Sequence, residues 1–236
     1  MRNGQIVASQ GALRQQERIA HIVSNNLSNA QTVGFKKDEP FFQHLLGESL
    51  DSLQNGPITD VRTIFQKGTI QKTGNDLDLG IDGEGFFKVK TPDGIRYTRA
   101  GNFAMNKENM LVTNGGFAVL GVKDKILLNG KSVVIAPDGM VQVDGNQVGQ
   151  LALVTFSNLN SLKKEGGNLF RLDDLQEEAK VSDPHILQGT LETSNVNPIE
   201  EMVNLVDSLR SYESCLKSIQ SQDDMDNRAV NDLGRV

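Results

Sequence analysis

The sequence has very little cysteine, tryptophan or tyrosine, and each shortage excludes something. Its 236 residues include one cysteine, Cys215, so no disulfide can form within the chain. Tryptophan is absent, tyrosine occurs twice, and apolar residues make up 37% of the chain, which is below the usual globular range. We therefore expect a hydrophobic core that is small for the length of the chain.

Long apolar runs and clusters of positive charge are also missing. No stretch approaches the roughly 18 apolar residues of a membrane-spanning helix, and residues 1–6 lack the apolar segment of a cleaved secretory signal. The net charge is −6, and lysine and arginine form no basic run. We therefore expect neither membrane insertion nor nucleic-acid binding. If the protein is exported, we expect export without a cleaved signal peptide.

Apolar residues recur at helical spacing near the N-terminal end. Ile6, Leu13, Ala20 and Leu27 stand seven residues apart, and Val23 follows Ala20 by three. This spacing predicts an amphipathic helix with a narrow apolar seam.

The C-terminal end carries a second apolar seam. Asn197 can cap a helix, and Pro198 suits its first position. Apolar positions then alternate at spacings of three and four, at Met202, Leu205, Leu209, Tyr212, Leu216 and Ile219. Because two such helices can bury their seams against each other, we predict an antiparallel pair that forms a coiled-coil-like stalk.

Short strands and tight turns are predicted between the two seams. Asp-Gly and Asn-Gly dipeptides recur between residues 82 and 145, and both favour hairpin turns. The predicted fold class is α+β, with long N- and C-terminal helices forming the stalk and an inserted, mainly antiparallel β domain. The predicted boundaries are 1–35 for the N-terminal helix of the stalk, 36–75 for an extended arm with a short helix from residue 41 to residue 53, 76–182 for the β head, 183–196 for a return linker, and 197–236 for the C-terminal helix.

Two loops that resemble ligand-binding motifs are better explained as turns. The glycines of residues 80–85 stand in the wrong order for a dinucleotide-binding loop. Asp76, Asp78 and Asp82 lack the glycine and glutamate positions of a calcium-binding loop. We expect hairpin turns rather than a phosphate or metal site.

The remaining reactive side chains form no catalytic pattern. His21, His44 and His185 are far apart, and none has a second ligand at metal-binding spacing. Cys215 stands beside the seam residue Leu216, which indicates a buried or half-buried thiol rather than a nucleophile. We therefore expect no enzymatic activity, no cofactor and no metal.

The two seams leave two arrangements open. They can form an ordinary helical hairpin within one monomer, or neighbouring subunits can pack on them as well. A two-helix stalk has little core of its own, and the amides of Asn25, Asn26 and Asn29 could form hydrogen bonds across a subunit boundary. Both features favour packing by other copies.

Four motifs, in order along the chain, resemble the bacterial flagellar rod and hook protein family. Residues 24–36 read Ser-Asn-Asn-Leu-Ser-Asn-Ala-Gln-Thr-Val-Gly-Phe-Lys, residues 73–79 read Thr-Gly-Asn-Asp-Leu-Asp-Leu, residues 97–103 read Tyr-Thr-Arg-Ala-Gly-Asn-Phe, and residues 191–198 read Leu-Glu-Thr-Ser-Asn-Val-Asn-Pro. Hook proteins are usually longer, so the resemblance favours a rod protein. The proximal-rod member is preferred, and the distal-rod member or a short hook-type protein is the alternative.

The resemblance implies a structural subunit of the flagellar basal-body rod, in the periplasm. Its partners would be other copies of itself, other axial proteins of the rod and hook, and the flagellar type III export apparatus. The expected assembly surface consists of Ile6, Leu13, Ala20, Val23, Asn25, Asn26, Leu27, Asn29, Gly34, Phe35, Met202, Leu205, Leu209, Tyr212, Leu216 and Ile219. A soluble carbohydrate- or peptide-binding module that uses the β head stays open as an alternative of another class.

Overall fold

The structure is a computed structural model, which describes residues 2–42, 59–173 and 178–233. The chain divides into two compact units. The helical unit comprises Met1–Ser28, Asp38–Arg62 and Asn197–Val236, and the β unit comprises Asn29–Lys37 and Thr63–Val196.

The described residues of the helical unit form two helices and one strand pair. Helix α1 spans Arg2–Ser28 and helix α2 spans Pro198–Leu233. The predicted start of α2 is confirmed, because the Asn197 side chain accepts a hydrogen bond of 3.2 Å from the Ile199 N–H. Within the described residues, no helix combines the length and apolar character needed to cross a membrane.

Part of the short helix predicted from residue 41 is a strand instead. Strand β1, Asp38–Phe42, pairs with β2, Thr59–Thr63. The short helix expected from residue 41 is therefore wrong at its first two positions, which lie in β1. The other residues of that expected helix, 43–53, lie outside the described part of the chain.

The prediction of a coiled-coil-like stalk is wrong. In a coiled coil the seam residues of each helix are buried against the partner helix, but Met202 and Leu209 are 54% and 49% exposed. The buried positions among the described side chains of α2 are Glu201 and Ser208, one residue earlier in each case. One residue corresponds to about 100° of rotation around a helix. The two helices of the described chain therefore meet through a partly polar surface and not through two apolar seams.

The contacts of α2 with α1 explain why polar positions are buried. The Ser208 hydroxyl donates to the carbonyl of Gln16 at 3.3 Å, and the Asn26 amide donates to the Glu201 carboxylate at 3.3 Å. Each buried polar group thus has a partner on the other helix, which removes most of the cost of burying it.

The β unit contains sixteen described strands. In chain order they are β3 Ile70–Lys72, β4 Leu79–Ile81, β5 Phe86–Thr91, β6 Gly94–Thr98, β7 Phe103–Met105, β8 Leu111–Thr113, β9 Ala118–Val119, β10 Val133–Ile135, β11 Met140–Val143, β12 Asn146–Gln150, β13 Leu153–Thr155, β14 Leu162–Gly166, β15 Leu169–Leu172, β16 Ala179–Lys180, β17 Ile186–Gln188 and β18 Thr190–Glu192.

Antiparallel pairing organises these strands into four sheets. The largest runs β14-β15-β6-β5-β9-β8-β7, with β13 joined to β5 and β16 joined to β13. Strands β10, β11 and β12 form a second sheet, and β4–β17 and β3–β18 form two ribbons. The β5–β6 hairpin pairs Phe87 with Thr98 and Thr91 with Gly94, which confirms the turn predicted from Asp93-Gly94.

Strand β5 separates two hydrophobic clusters. Phe87 and Val89 belong to the larger cluster, whereas Phe86 belongs to a smaller one with Tyr97 and Phe170. Successive side chains of a strand point to opposite faces, so a single strand contributes to both. In the smaller cluster, the rings of Phe86 and Phe170 lie 5.9 Å apart, edge to face.

Candidate functional site

One face of α2 is apolar and exposed. We call it the α2 stripe and define it as Ile199, Met202, Val203, Val206 and Leu209, which are 75%, 54%, 56%, 47% and 49% exposed. Their spacing of three or four residues places them on one side of the helix. Single exposed apolar residues are common, but a continuous group marks an interaction surface.

A buried asparagine joins three parts of the helical unit. Asn26 in α1 donates from Nδ2 to the Asp38 carbonyl at 2.8 Å and to the Glu201 carboxylate at 3.3 Å, and its Oδ1 accepts from the Asp38 N–H at 2.9 Å. Asn26 and Glu201 are 1% and 2% exposed. The side-chain amide therefore holds the start of β1 and the first turns of α2 to the end of α1.

The residues predicted for the assembly surface are divided between the two units and differ in exposure. On α2, Met202 and Leu209 lie in the α2 stripe, whereas four other seam residues are half-buried: Leu205, Tyr212, Leu216 and Ile219. On α1, Val23 and Asn26 are buried, Leu13, Ala20 and Leu27 are half-buried, and Asn25 is exposed. Asn29, Gly34 and Phe35 belong to the β unit. Ile6 lies in α1, outside the part whose side chains are described.

Sequence reasoning missed three members of the α2 stripe. Ile199, Val203 and Val206 do not fit a strict heptad seam, in which only two of every seven positions are apolar. A search for that pattern therefore omits them. A wider template, with apolar residues at three or four positions in every two turns, would have included Val203 and Val206 beside Met202.

Gly34 and Phe35 bring the first motif into the β unit. Gly34 has a φ of +66°, and a Cβ there would lie 2.4 Å from the Ala100 nitrogen, so both the conformation and the space require glycine. The Phe35 ring is 5% exposed, and the Lys164 ammonium lies 4.1 Å from its centroid. A cation above an aromatic face is attracted by the ring's quadrupole.

The next residue of that motif lies in a buried group of charges. We call this group the Glu192 cluster, and it comprises Lys36, Arg99 and Glu192. The Lys36 ammonium lies 2.5 Å from Glu192 Oε1, and the Arg99 guanidinium lies 3.2 Å from Glu192 Oε2. Glu192 Oε1 also accepts the Gly68 N–H at 2.9 Å. The side chains of Lys36, Glu192 and Arg99 are 0%, 1% and 7% exposed.

Burial acts on both cations of the Glu192 cluster. Desolvation lowers the pKa of Lys36 and of Arg99, and the charge of Glu192 opposes the change in each case. The Lys36 ammonium donates a second hydrogen bond of 2.7 Å to the Gln66 carbonyl. Arg99 Nε has no hydrogen-bond partner in the described part of the chain, although the guanidinium lies 5.2 Å from the Phe86 ring centroid. The cluster therefore holds two buried cations around one carboxylate.

The sequence carried a usable signal for the Glu192 cluster. Each charged residue has small or apolar residues on one side of it in the sequence: Gly34-Phe35 before Lys36, Ala100-Gly101 after Arg99 and Leu191 before Glu192. Charged residues in such surroundings are candidates for buried ion pairs. Their mutual contacts could not be predicted, since 93 and 156 positions of sequence separate Glu192 from its two partners.

The patterns set aside as turns occupy ordinary structural positions. Asp82 pairs with Lys67, and His185 lies 3.2 Å from Asp183 at the surface. No three histidine, cysteine, aspartate or glutamate residues of the described ranges are grouped closely enough to hold a metal ion. Cys215 is a half-buried free thiol.

The β unit has two adjoining open grooves around residues 121–124. Their volumes are about 450 and 480 Å³. The first is lined by apolar Val122 and Ile95 together with the Lys88–Glu178 ion pair. Neither His185 nor Cys215 lines either groove. The two grooves therefore offer an open surface of mixed apolar and charged character.

Three family models match separate parts of the chain. The model described as "Flagella basal body rod protein" matches residues 6–36, "Flagellar hook protein FlgE/F/G D1 domain" matches residues 80–143, and "Flagellar basal body rod FlgEFG protein C-terminal" matches residues 187–233. Lys36, Arg99 and Glu192 each lie in a different one of these regions.

Curated relatives cover nearly the whole chain. The flagellar basal-body rod protein FlgF of Caulobacter vibrioides is 37% identical over 91% of this chain and 91% of its own length. The rod protein FlgG of Buchnera aphidicola subsp. Acyrthosiphon pisum is 34% identical over 92% of this chain and 95% of its own, and FlgG of Bacillus subtilis is 32% identical over 89% and 91%.

We expect Asn26→Asp to destabilise the helical unit. The substitution keeps the shape of the side chain but replaces the Nδ2 donor with an oxygen that faces the Asp38 carbonyl and the Glu201 carboxylate. Unpaired buried polar groups cost about 1–3 kcal/mol each. Urea denaturation followed by the helical circular-dichroism signal should show a lower midpoint, whereas Ser24→Ala at an exposed position of α1 should leave it unchanged. An unchanged midpoint in Asn26→Asp would contradict the role given to this amide.

Proposed function

Because the chain belongs to the flagellar basal-body rod protein family, we propose that it is a structural, non-enzymatic subunit of the bacterial flagellar rod that assembles through its terminal helices. The observation that carries the proposal is the α2 stripe. Other copies of this chain, and other axial proteins of the rod and hook, are the partners we propose for it.

The α2 stripe supports assembly because α1 does not cover it. The side of α2 that meets α1 presents Glu201 and Ser208, and the stripe lies on a different side of the helix. Burying a valine, leucine or methionine side chain contributes about 1.5–3 kcal/mol. Several such side chains on one helix can therefore stabilise a contact with another subunit. While they remain exposed to water, this hydrophobic free energy is not gained.

The proposed assembly surface extends beyond the α2 stripe. It includes the half-buried seam residues Leu205, Tyr212, Leu216 and Ile219, whose outer edges remain accessible. On α1 we include the residues predicted from the first seam and the exposed amide of Asn25. In the β unit we include Gly34 and Phe35 as residues that fix the backbone after α1.

Within the family we propose the proximal rod protein FlgF, with the distal rod protein FlgG as the alternative. The match to the Caulobacter FlgF spans 224 positions at 37% identity. The match to the Buchnera FlgG spans 248 positions at 34% identity, more than the 236 residues of this chain, so that relative carries residues without a counterpart here. Both the identity and the length support FlgF.

The proposed location is the rod within the periplasm. Family membership supports this location, and it supports delivery of the subunit through the flagellar type III export apparatus.

Complementation distinguishes the two rod assignments. In the bacterium that carries this gene, we expect deletion of the gene to abolish motility and expression of the chain to restore it. In a related flagellated bacterium, the chain should restore swimming to a strain that lacks FlgF and not to one that lacks FlgG. Rescue of the FlgG deletion alone would overturn the FlgF assignment, and normal swimming after deletion of the gene would count against a rod function.

We expect Leu209→Asp to block incorporation into the rod. The substitution places a charge at the C-terminal end of the α2 stripe, where a contact with another subunit would bury it without a partner. The position is exposed, so folding of the isolated chain should be preserved. The measurement is the amount of the protein in purified basal bodies, with swimming as a second readout.

Ser211→Asp is the matched control for this experiment. It adds the same charge at an exposed position of α2 about 160° away from Leu209 around the helix. Incorporation at the level of the unsubstituted protein is expected. If Leu209→Asp also enters basal bodies normally, the α2 stripe is not the assembly surface.

A further inference from the structure

The Glu192 cluster joins three segments that are far apart in the chain. Lys36 follows α1, Arg99 follows β6, and Glu192 ends β18, the last strand before α2. Both cations therefore precede the carboxylate that holds them, by 156 and 93 positions. The inference drawn from this order concerns the folding of the β unit and does not depend on the proposed function.

Burial of the two cations of the cluster is strongly unfavourable without Glu192. Lys36 and Arg99 are cations that act on each other unfavourably, since the charge of Arg99 lowers the pKa of Lys36. The next carboxylate that acts on Arg99 is Glu84, which is exposed. Burying a charge without a partner is strongly unfavourable, and two like charges in one core add repulsion to that cost.

The same strand end also fixes the neighbouring backbone. The Gly34 N–H donates to the Glu192 carbonyl at 2.8 Å, and the Gly68 N–H donates to its carboxylate at 2.9 Å. Three residues later, Asn195 Oδ1 accepts the Lys37 N–H at 2.7 Å, and Asn195 Nδ2 donates to the Ile64 carbonyl at 2.8 Å. Residues 192–195 thus hold both residues 34–37 and residues 64–68.

We propose that the β unit can complete its folding only when its last strand, β18, brings the Glu192 carboxylate between Lys36 and Arg99. We call this dependence the charge lock, and we call the folding step that it controls closure of the β unit. Until β18 pairs with β3 and delivers the carboxylate, Lys36 and Arg99 repel each other and remain hydrated. Once it arrives, the two cations are neutralised in part, and residues 34–37 and 64–68 become fixed together. The segment that follows α1 and the segment that precedes α2 are then ordered in one step, and neither is ordered in a chain that has not completed the β unit.

Hydrogen exchange measured by mass spectrometry tests the lock in the full-length chain. In Glu192→Gln we expect amides of residues 34–37 and 64–68 to exchange roughly a hundredfold faster, because a buried charge pair is broken. Amides of β11 and β12, which contact none of the three charges, should exchange at the rate of the unsubstituted protein. Glu84→Gln removes an exposed carboxylate near Arg99 and should change the exchange rates little.

The double variant Lys36→Met/Glu192→Gln separates a charge lock from a simple loss of hydrogen bonds. Methionine approximates the volume of the lysine stem and removes one of the two cations. If charge balance controls closure, the double variant will exchange more slowly at residues 64–68 than Glu192→Gln alone. Equal or faster exchange in the double variant would overturn the proposal, and so would unchanged exchange in Glu192→Gln. If Glu192→Gln yields no folded protein, folding of the double variant supports the lock, and failure of both contradicts it.

Discussion

The carboxylate of Glu192 is the constraint on which the β unit depends. It lies between two buried cations, accepts a backbone N–H from Gly68, and belongs to the strand end that also holds Gly34. A buried ion pair adds little net stability compared with an apolar core, but removing one partner is costly. Its effect is therefore to specify one arrangement of distant segments. Three of the four recognisable motifs of the sequence meet at this carboxylate, which gives a physical reason for their presence.

The helical unit is organised in the opposite way. Its inner contacts are partly polar, with Asn26 and Ser208 bonded across the two helices, and its outer face carries the apolar α2 stripe. Polar contacts hold the helices in register, because an unpaired amide or carboxylate would be unfavourable in any other register. The apolar surface is then left for contacts outside the chain. The unit is thus suited to a subunit that completes its packing against other subunits, as proposed for a rod protein.

The sequence predicted those features that depend on neighbouring residues. The Asp93-Gly94 turn places β5 beside β6, and Asn197-Pro198 begins α2, because turn and cap chemistry act within a few residues. The packing of α2 was predicted wrongly, since periodicity gives two adjacent stripes and does not say which of them faces α1. Glu201 is buried because Asn26, 175 positions earlier, donates to it. Lys36 is buried for the same kind of reason. Such pairings become visible only in the fold.

A density map of the assembled rod, with this subunit identified in it, tests the central claim most directly. The account predicts that Met202, Val203, Val206 and Leu209 lie against neighbouring subunits and lose most of their exposed area, while Asn26 keeps its bonds to Glu201 within the subunit. A rod in which these four side chains face solvent, with the subunits joined through other surfaces, would contradict it.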